Sequence, residues 1–90
     1  MLMIDITKAA FDFLMEMQVK PFRQVMLNIL QLTKNPQPQD AKKLVGYEFF
    51  RIDIGEYRVI YQMDESVLKI ILVGKRNDDD VYRRLKNIYK

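Results

Sequence analysis

The apolar residues of this chain change period part-way along it. Between Thr7 and Leu30 they recur at helical spacing, and from Tyr47 onward they alternate with polar residues. A helix returns to the same face about every 3.6 residues and a strand every second residue, so the pattern predicts helices first and a sheet second. Thr7 can cap a first helix carrying Ala10, Phe11, Leu14 and Met17. Pro21 suits the first turn of a second helix, where its missing N–H is not needed, and Phe22, Val25, Met26, Ile29 and Leu30 form that helix's stripe. Asn35-Pro36-Gln37-Pro38 then stops it and reads as a loop. The apolar, β-branched stretch from Met1 to Ile6 is able to form a strand.

In the second half, Phe50, Ile52 and Ile54 alternate with Arg51 and Asp53. Gly55-Glu56 offers a two-residue hairpin turn with glycine first, the order a type II′ turn requires, and a second strand runs from Tyr57 to about Met63. Asp64-Glu65-Ser66 turns the chain into a strongly apolar third strand, Val67 to Val73, closed by Gly74. Asp78, Asp79 and Asp80 suit the start of a last helix with the stripe Val81, Leu85 and Ile88, because exposed N–H groups and the helix dipole favour carboxylates there. Consecutive helical residues point in different directions, so these carboxylates are read as capping and no metal is expected. The expected fold class is α+β: one domain over residues 1–90, with two N-terminal helices packed on an antiparallel sheet of three to four strands and a short C-terminal helix.

Strand parity groups side chains by face. A two-residue turn pairs Ile54 with Tyr57 and sets Asp53 opposite Arg58, so Arg51, Asp53 and Arg58 share one face. A turn around Glu65 adds Lys69, Ile71, Val73 and Lys75 to it. The opposite face collects Phe50, Ile52, Ile54, Tyr57, Val59, Tyr61, Leu68, Ile70 and Leu72 and should cover the helices. One exposed Arg or Lys is more often solubilising than functional, and Asp53 with Arg58 reads equally as an ordinary cross-strand ion pair. Arg51, Arg58, Lys75 and Arg76 converge from three strand segments, however, which suits a phosphate backbone; Lys42 and Lys43 extend that surface.

The 90 residues include no cysteine and no histidine, which removes disulfides, thiolate nucleophiles and the usual neutral-pH proton shuttle. Any chemistry rests on Tyr, Lys, Arg and carboxylates, and no cofactor is expected. The net charge of +3 tilts mildly toward polyanionic partners. No apolar run approaches the about 20 residues that span a bilayer, and MLMIDITKAA lacks the order of a signal peptide, so a cytoplasmic protein without a membrane partner is expected.

The segment Gly55-Glu56-Tyr57-Arg58-Val59-Ile60-Tyr61-Gln62, the strand ending Val73-Gly74-Lys75-Arg76, and then Asp80-Val81-Tyr82 closely resemble the RelE branch of the RelE/ParE toxin superfamily. Upstream, Lys43-Leu44-Val45-Gly46 matches the family's usual Lys-Leu-x-Gly. The specific part of the likeness runs from about residue 42 to residue 83, with looser similarity in the helical half.

That resemblance implies a small RelE-like domain acting as the toxin of a type II toxin–antitoxin pair. Such a toxin is a metal-independent endoribonuclease that enters the ribosomal A site and cleaves messenger RNA, the ribose 2′-oxygen attacking the adjacent phosphate. On this likeness Arg58 matches the arginine of the Tyr-Arg motif and would stabilise phosphate charge. Arg76 matches the arginine after Gly-Lys and would favour the leaving group, and Tyr82 matches the tyrosine of the C-terminal Val-Tyr and would act as base or orient the nucleotide. A phenol is a base only once ionised, which neighbouring cations favour. Arg51 falls at the first of two family strand lysines, whereas the second aligns with Asp53. An acid there partly neutralises Arg58, and Lys75 is expected to compensate. The implied partners are a RelB-like antitoxin, the ribosome and messenger RNA, with operator DNA reached only through the antitoxin complex. Two other readings stay open: a ParE-like inhibitor of DNA gyrase, and an inactive RelE-fold module that only binds an antitoxin.

Overall fold

The computed structural model describes residues 1–77 and 79–89. The chain runs β1 (Met3–Ile6), α1 (Lys8–Glu16), α2 (Val19–Leu32), β2 (Lys42–Lys43), β3 (Phe50–Ile54), β4 (Tyr57–Met63), β5 (Val67–Lys75) and α3 (Asp80–Ile88). Its strands form one five-stranded sheet in the order β1-β5-β4-β3-β2. The α+β class is as expected, but the sheet is larger and mixed. β1 pairs parallel to β5, from Met3 opposite Val67 to Ile6 opposite Ile70, and β2 adds a two-residue antiparallel edge to β3. An antiparallel sheet of three to four strands is thereby corrected: pairing to β5 is non-local, so nothing within β1 reveals it.

Local signals account for the helices. The Thr7 side chain accepts the Ala10 N–H at 3.2 Å, capping α1, whose residues Ala10 and Leu14 are buried. Pro21 lies in the first turn of α2, which buries Val25, Ile29 and Leu32. Three residues of the expected stripes point outward, Phe11, Leu30 and, in α3, Ile88, each about half exposed. Each helix rests on the sheet through a stripe narrower than its run of apolar residues.

The β3–β4 hairpin has the expected register, with Ile54 opposite Tyr57 and Asp53 opposite Arg58. Gly55 has φ of +59° and, among the described residues, no non-glycine residue has positive φ, as a type II′ turn requires of Gly55-Glu56. At the next turn the Asp64 carboxylate accepts the N–H groups of Ser66 and Val67, both at 2.8 Å. These backbone donors hold the Asp64 pKa below the ordinary carboxylate value.

Between β4 and β5 the register slips. Gln62 faces Lys69 and Tyr61 faces Ile70, but Ile60 faces Leu72, which leaves Ile71 as the extra residue of a β-bulge. The Ile71 carbonyl accepts the Thr7 hydroxyl at 2.7 Å, tying the bulge to the start of α1. Beyond it every residue of β5 changes face relative to the unbroken alternation. Val73 now faces Val59, Lys75 faces Tyr57 and Gly74 faces Arg58.

The bulge also helps build two cores. One lies under α1 and α2 and includes Leu14, Val25 and Ile29 packed on Ile52, Val59, Leu68, Ile70 and Val73. The other, on the opposite face, has Ile60, Ile71 and Leu72 covered by Leu44, Phe49, Val81 and Leu85. That face was expected to be open and cationic; α3 and the segment before β3 cover much of it. The cover is fastened by aromatic contacts: Tyr47 stacks on Phe49 with ring centroids 5.7 Å apart, and Phe49 meets Tyr89 edge-on at 5.1 Å.

Candidate functional site

Where the cover of the second face ends, one arginine joins three elements. Arg58 on β4 donates from Nε to Asp53 Oδ1 at 2.6 Å and from Nη2 to Asp53 Oδ2 at 3.1 Å, a bidentate pair across the hairpin. Its Nη1 donates to the Tyr82 hydroxyl at 2.9 Å, and its guanidinium carbon stands 5.5 Å from the Tyr82 ring centroid. The Arg58 side chain is only 14% exposed, against 33% for Asp53 and 29% for Arg51. Arg51 approaches the same carboxylate, with Nη1 3.9 Å from Asp53 Oδ2. The Arg58 hydrogen bond, with the charges of Arg58, Arg51 and Arg76, lowers the Asp53 pKa against the opposing effect of burial. Asp53 in turn is the first cause of a raised Arg58 pKa.

Tyr82 reaches Arg58 because α3 lies directly on the backbone of β5. A Cβ added to Gly74 would stand 2.2 Å from Val81 Cγ2 and 2.8 Å from Arg84 Nη2, so only glycine lets the helix this close. Arg84 fixes the helix from its other side: Nη2 donates to the Val73 carbonyl at 2.6 Å, Nε lies 3.0 Å from Asp80 Oδ2, and the guanidinium covers the Phe13 ring at 5.6 Å. Asp80 is thus an ion-pair partner in the first turn, also 3.6 Å from Arg83 Nη2. Asp79 occupies the cap position without a side-chain capping bond. The expectation for Asp78 lies outside the described residues.

The structure divides the sequence-derived residues into two groups. Arg58, Tyr82 and Arg51 converge with Asp53, and Arg76 follows β5 with its N–H donated to the Glu56 carbonyl at 2.9 Å and its charge within reach of Asp53. Lys42 stands opposite Arg51 and extends the same face. Lys43 stands opposite Phe50, on the other face, with Nζ 3.6 Å from Glu48 Oε2. Lys75, opposite Tyr57, also falls on the α1–α2 side and not on the face of Asp53, where strand parity alone groups it. Sequence reasoning missed Gly74 as the seat of α3 and Arg84 as its clamp; the spacing of Asp80 and Arg84 by four was the available signal. Among the described residues no group of acidic side chains is placed to hold a metal ion, and no helix is long and apolar enough to cross a membrane.

A partly buried guanidinium bonded to a phenol, with further arginines beside it, can gather and neutralise phosphate oxygens while the phenol is held in place. Known proteins carry related folds. The E. coli RelBE toxin–antitoxin complex contains a chain matched at a TM-score of 0.74 and 23% identity, over 87% of this chain and 100% of that one. The archaeal RelE–RelB complex from Pyrococcus horikoshii OT3 matches at 0.75 and 26% identity, over 84% and 96%. A variant of E. coli RelE in the free state matches at 0.82 and 18% identity, over 99% and 98%. No curated protein sequence matches. The family profile described as "ParE toxin of type II toxin-antitoxin system, parDE" matches residues 7–80. The chain therefore belongs to the ParE toxin family of type II toxin–antitoxin systems, within the RelE/ParE superfamily, and has the fold of its RelE-like branch.

Proposed function

We propose that this toxin is a ribosome-dependent endoribonuclease that cleaves messenger RNA in the A site. The observation that carries the reading is the Arg58–Tyr82 hydrogen bond at 2.9 Å, which sets a phenol and a guanidinium side by side, with Arg51 and Arg76 around them. In the reaction the 2′-oxygen attacks phosphorus, the 2′-proton passes to a base, and the 5′-oxygen leaves with a proton. The products are a 2′,3′-cyclic phosphate and a 5′-hydroxyl. In this reading Tyr82 takes or orients the 2′-proton, Arg58 neutralises the equatorial oxygens of the pentavalent phosphorus, and Arg76 favours the leaving oxygen. Lys42 and Arg51 continue the cationic strip along the face for neighbouring phosphates, whereas Lys43 and Lys75 fall on the opposite side of the sheet.

The partner is a RelB-like antitoxin, as in the RelE–RelB complexes that share this fold. The family profile's own name favours a second reading, gyrase inhibition in the manner of a ParE toxin. One comparison separates the two: purified protein is incubated with messenger RNA, with and without programmed ribosomes, and in parallel with gyrase and supercoiled DNA. Cleavage of RNA on ribosomes alone, lost in Arg58→Ala, Arg76→Ala and Tyr82→Phe, supports the ribonuclease. DNA breaks that need gyrase support the ParE-like reading, and neither activity in a folded protein supports an antitoxin-binding module.

A further inference from the structure

Asp53 holds the edge of Arg58 that a phosphate would take. Its two oxygens occupy Nε and Nη2, at 2.6 and 3.1 Å, while the Tyr82 hydroxyl accepts from Nη1. The same carboxylate draws Arg51, 3.9 Å away, so a single anion is shared by two cations on the face. We infer that Asp53 is an internal competitor for phosphate: an anionic ligand reaches Arg58 by displacing this carboxylate, and that exchange sets the affinity and charge preference of the site. The inference rests on reading this face as a phosphate site and concerns binding, not cleavage.

The direction of the preference follows from the exchange. A singly charged phosphodiester replaces one charge-assisted bidentate bond by another of similar strength, and the gain is small. A doubly charged phosphate interacts with Arg51, Arg58 and Arg76 about twice as strongly through space and outcompetes the carboxylate. A site built in this way holds ordinary RNA backbone weakly and reserves its stabilisation for a dianion.

The probe is inorganic phosphate, titrated at low ionic strength into wild type, Asp53→Asn and Asp53→Ser, with the Arg58 Nε–H and the Asp53 carboxyl carbon followed by NMR and folding checked by thermal melting. Both variants should bind phosphate about ten-fold more tightly than wild type, the order of one unit charge at a partly exposed site. In wild type the Asp53 carboxyl resonance should shift as phosphate saturates. Equal or weaker binding by the folded variants, or a wild-type Asp53 resonance that does not move at saturation, overturns the inference and leaves Asp53 a positioning residue for Arg58. Ribosomes take no part in these readouts. Tighter binding by the variants with no RNA cleavage by wild type keeps the competitor and removes the ribonuclease, whereas cleavage without tightening removes the competitor alone.

Discussion

The face of the sheet beneath α1 and α2 is closed by apolar side chains from Ala10 to Val73, with Tyr61 among them, whereas the opposite face is closed only where α3 and the segment carrying Leu44 and Phe49 lie on it. The candidate site sits at the margin of the second cover. The helix that buries Val81 and Leu85 also carries Tyr82 to Arg58, so the candidate site depends on the packing of the smaller core. The larger core holds the hairpin that positions Asp53 and Arg58 but contributes no side chain to them. The larger core and the candidate site therefore lie on different faces, and α3 reaches the sheet at Gly74, where helix and strand touch.

Substitutions should separate the two faces. The largest effect is expected for Arg58→Ala: RNA cleavage on ribosomes should fall by about 100-fold or more, as when one donor to transition-state charge is removed, with the two cores still folded by circular dichroism. A parallel loss of cooperative unfolding would show that site and scaffold are not separable. Ile70→Ala, wholly buried under the helices, should cost about 2–5 kcal/mol in denaturant unfolding while leaving the Arg58–Tyr82 contact in place. Gly74→Ala should cost about 1–3 kcal/mol by overpacking and should also separate Tyr82 from Arg58, read as loss of the cross-peak between the two side chains.

Smaller effects come from titration. Burial pushes the Tyr61 phenol up to about 12, with a minor contribution from Asp40, and its hydroxyl donates to the Pro36 carbonyl at 2.7 Å. A folded-state pKa above the unfolded value means that this stability is present below about pH 10 and is lost as pH rises toward the folded value. Tyr61→Phe should cost about 0.5–1.5 kcal/mol near neutrality and flatten the alkaline limb of a melting-temperature profile. For Asp53 the sign reverses. Its lowered pKa makes the pair with Arg58 stabilising above the unfolded carboxylate value of about 4, with the contribution lost as pH falls below it. Asp53→Asn should flatten that acid limb slightly.

What the sequence disclosed was local. Gly55-Glu56 between two alternating strands fixed the pairing of Asp53 with Arg58, and Thr7 ahead of Ala10 marked a cap, because both signals lie within a few residues of their effect. The bulge at Ile71 was invisible: Val67 to Val73 is nearly all apolar, so an extra residue leaves no break in alternation, yet it moves Leu72, Val73 and Lys75 to other faces. The parallel pairing of β1 and the cover supplied by Leu44 and Phe49 depend on contacts between distant segments without periodicity of their own. Arg58 could be placed by counting along the hairpin, and Tyr82 by likeness to a family. That Gly74 brings them together required the packing of α3 on β5.

The central claim is that the margin of the second face performs transfer of phosphorus to a ribose 2′-oxygen. Determining the chemistry of the ends produced from messenger RNA on programmed ribosomes tests it most directly. The account predicts 2′,3′-cyclic phosphate and 5′-hydroxyl ends with wild type and none with Arg58→Ala. Ends bearing a 5′-phosphate, or undiminished cleavage by the Arg58 variant, would contradict it.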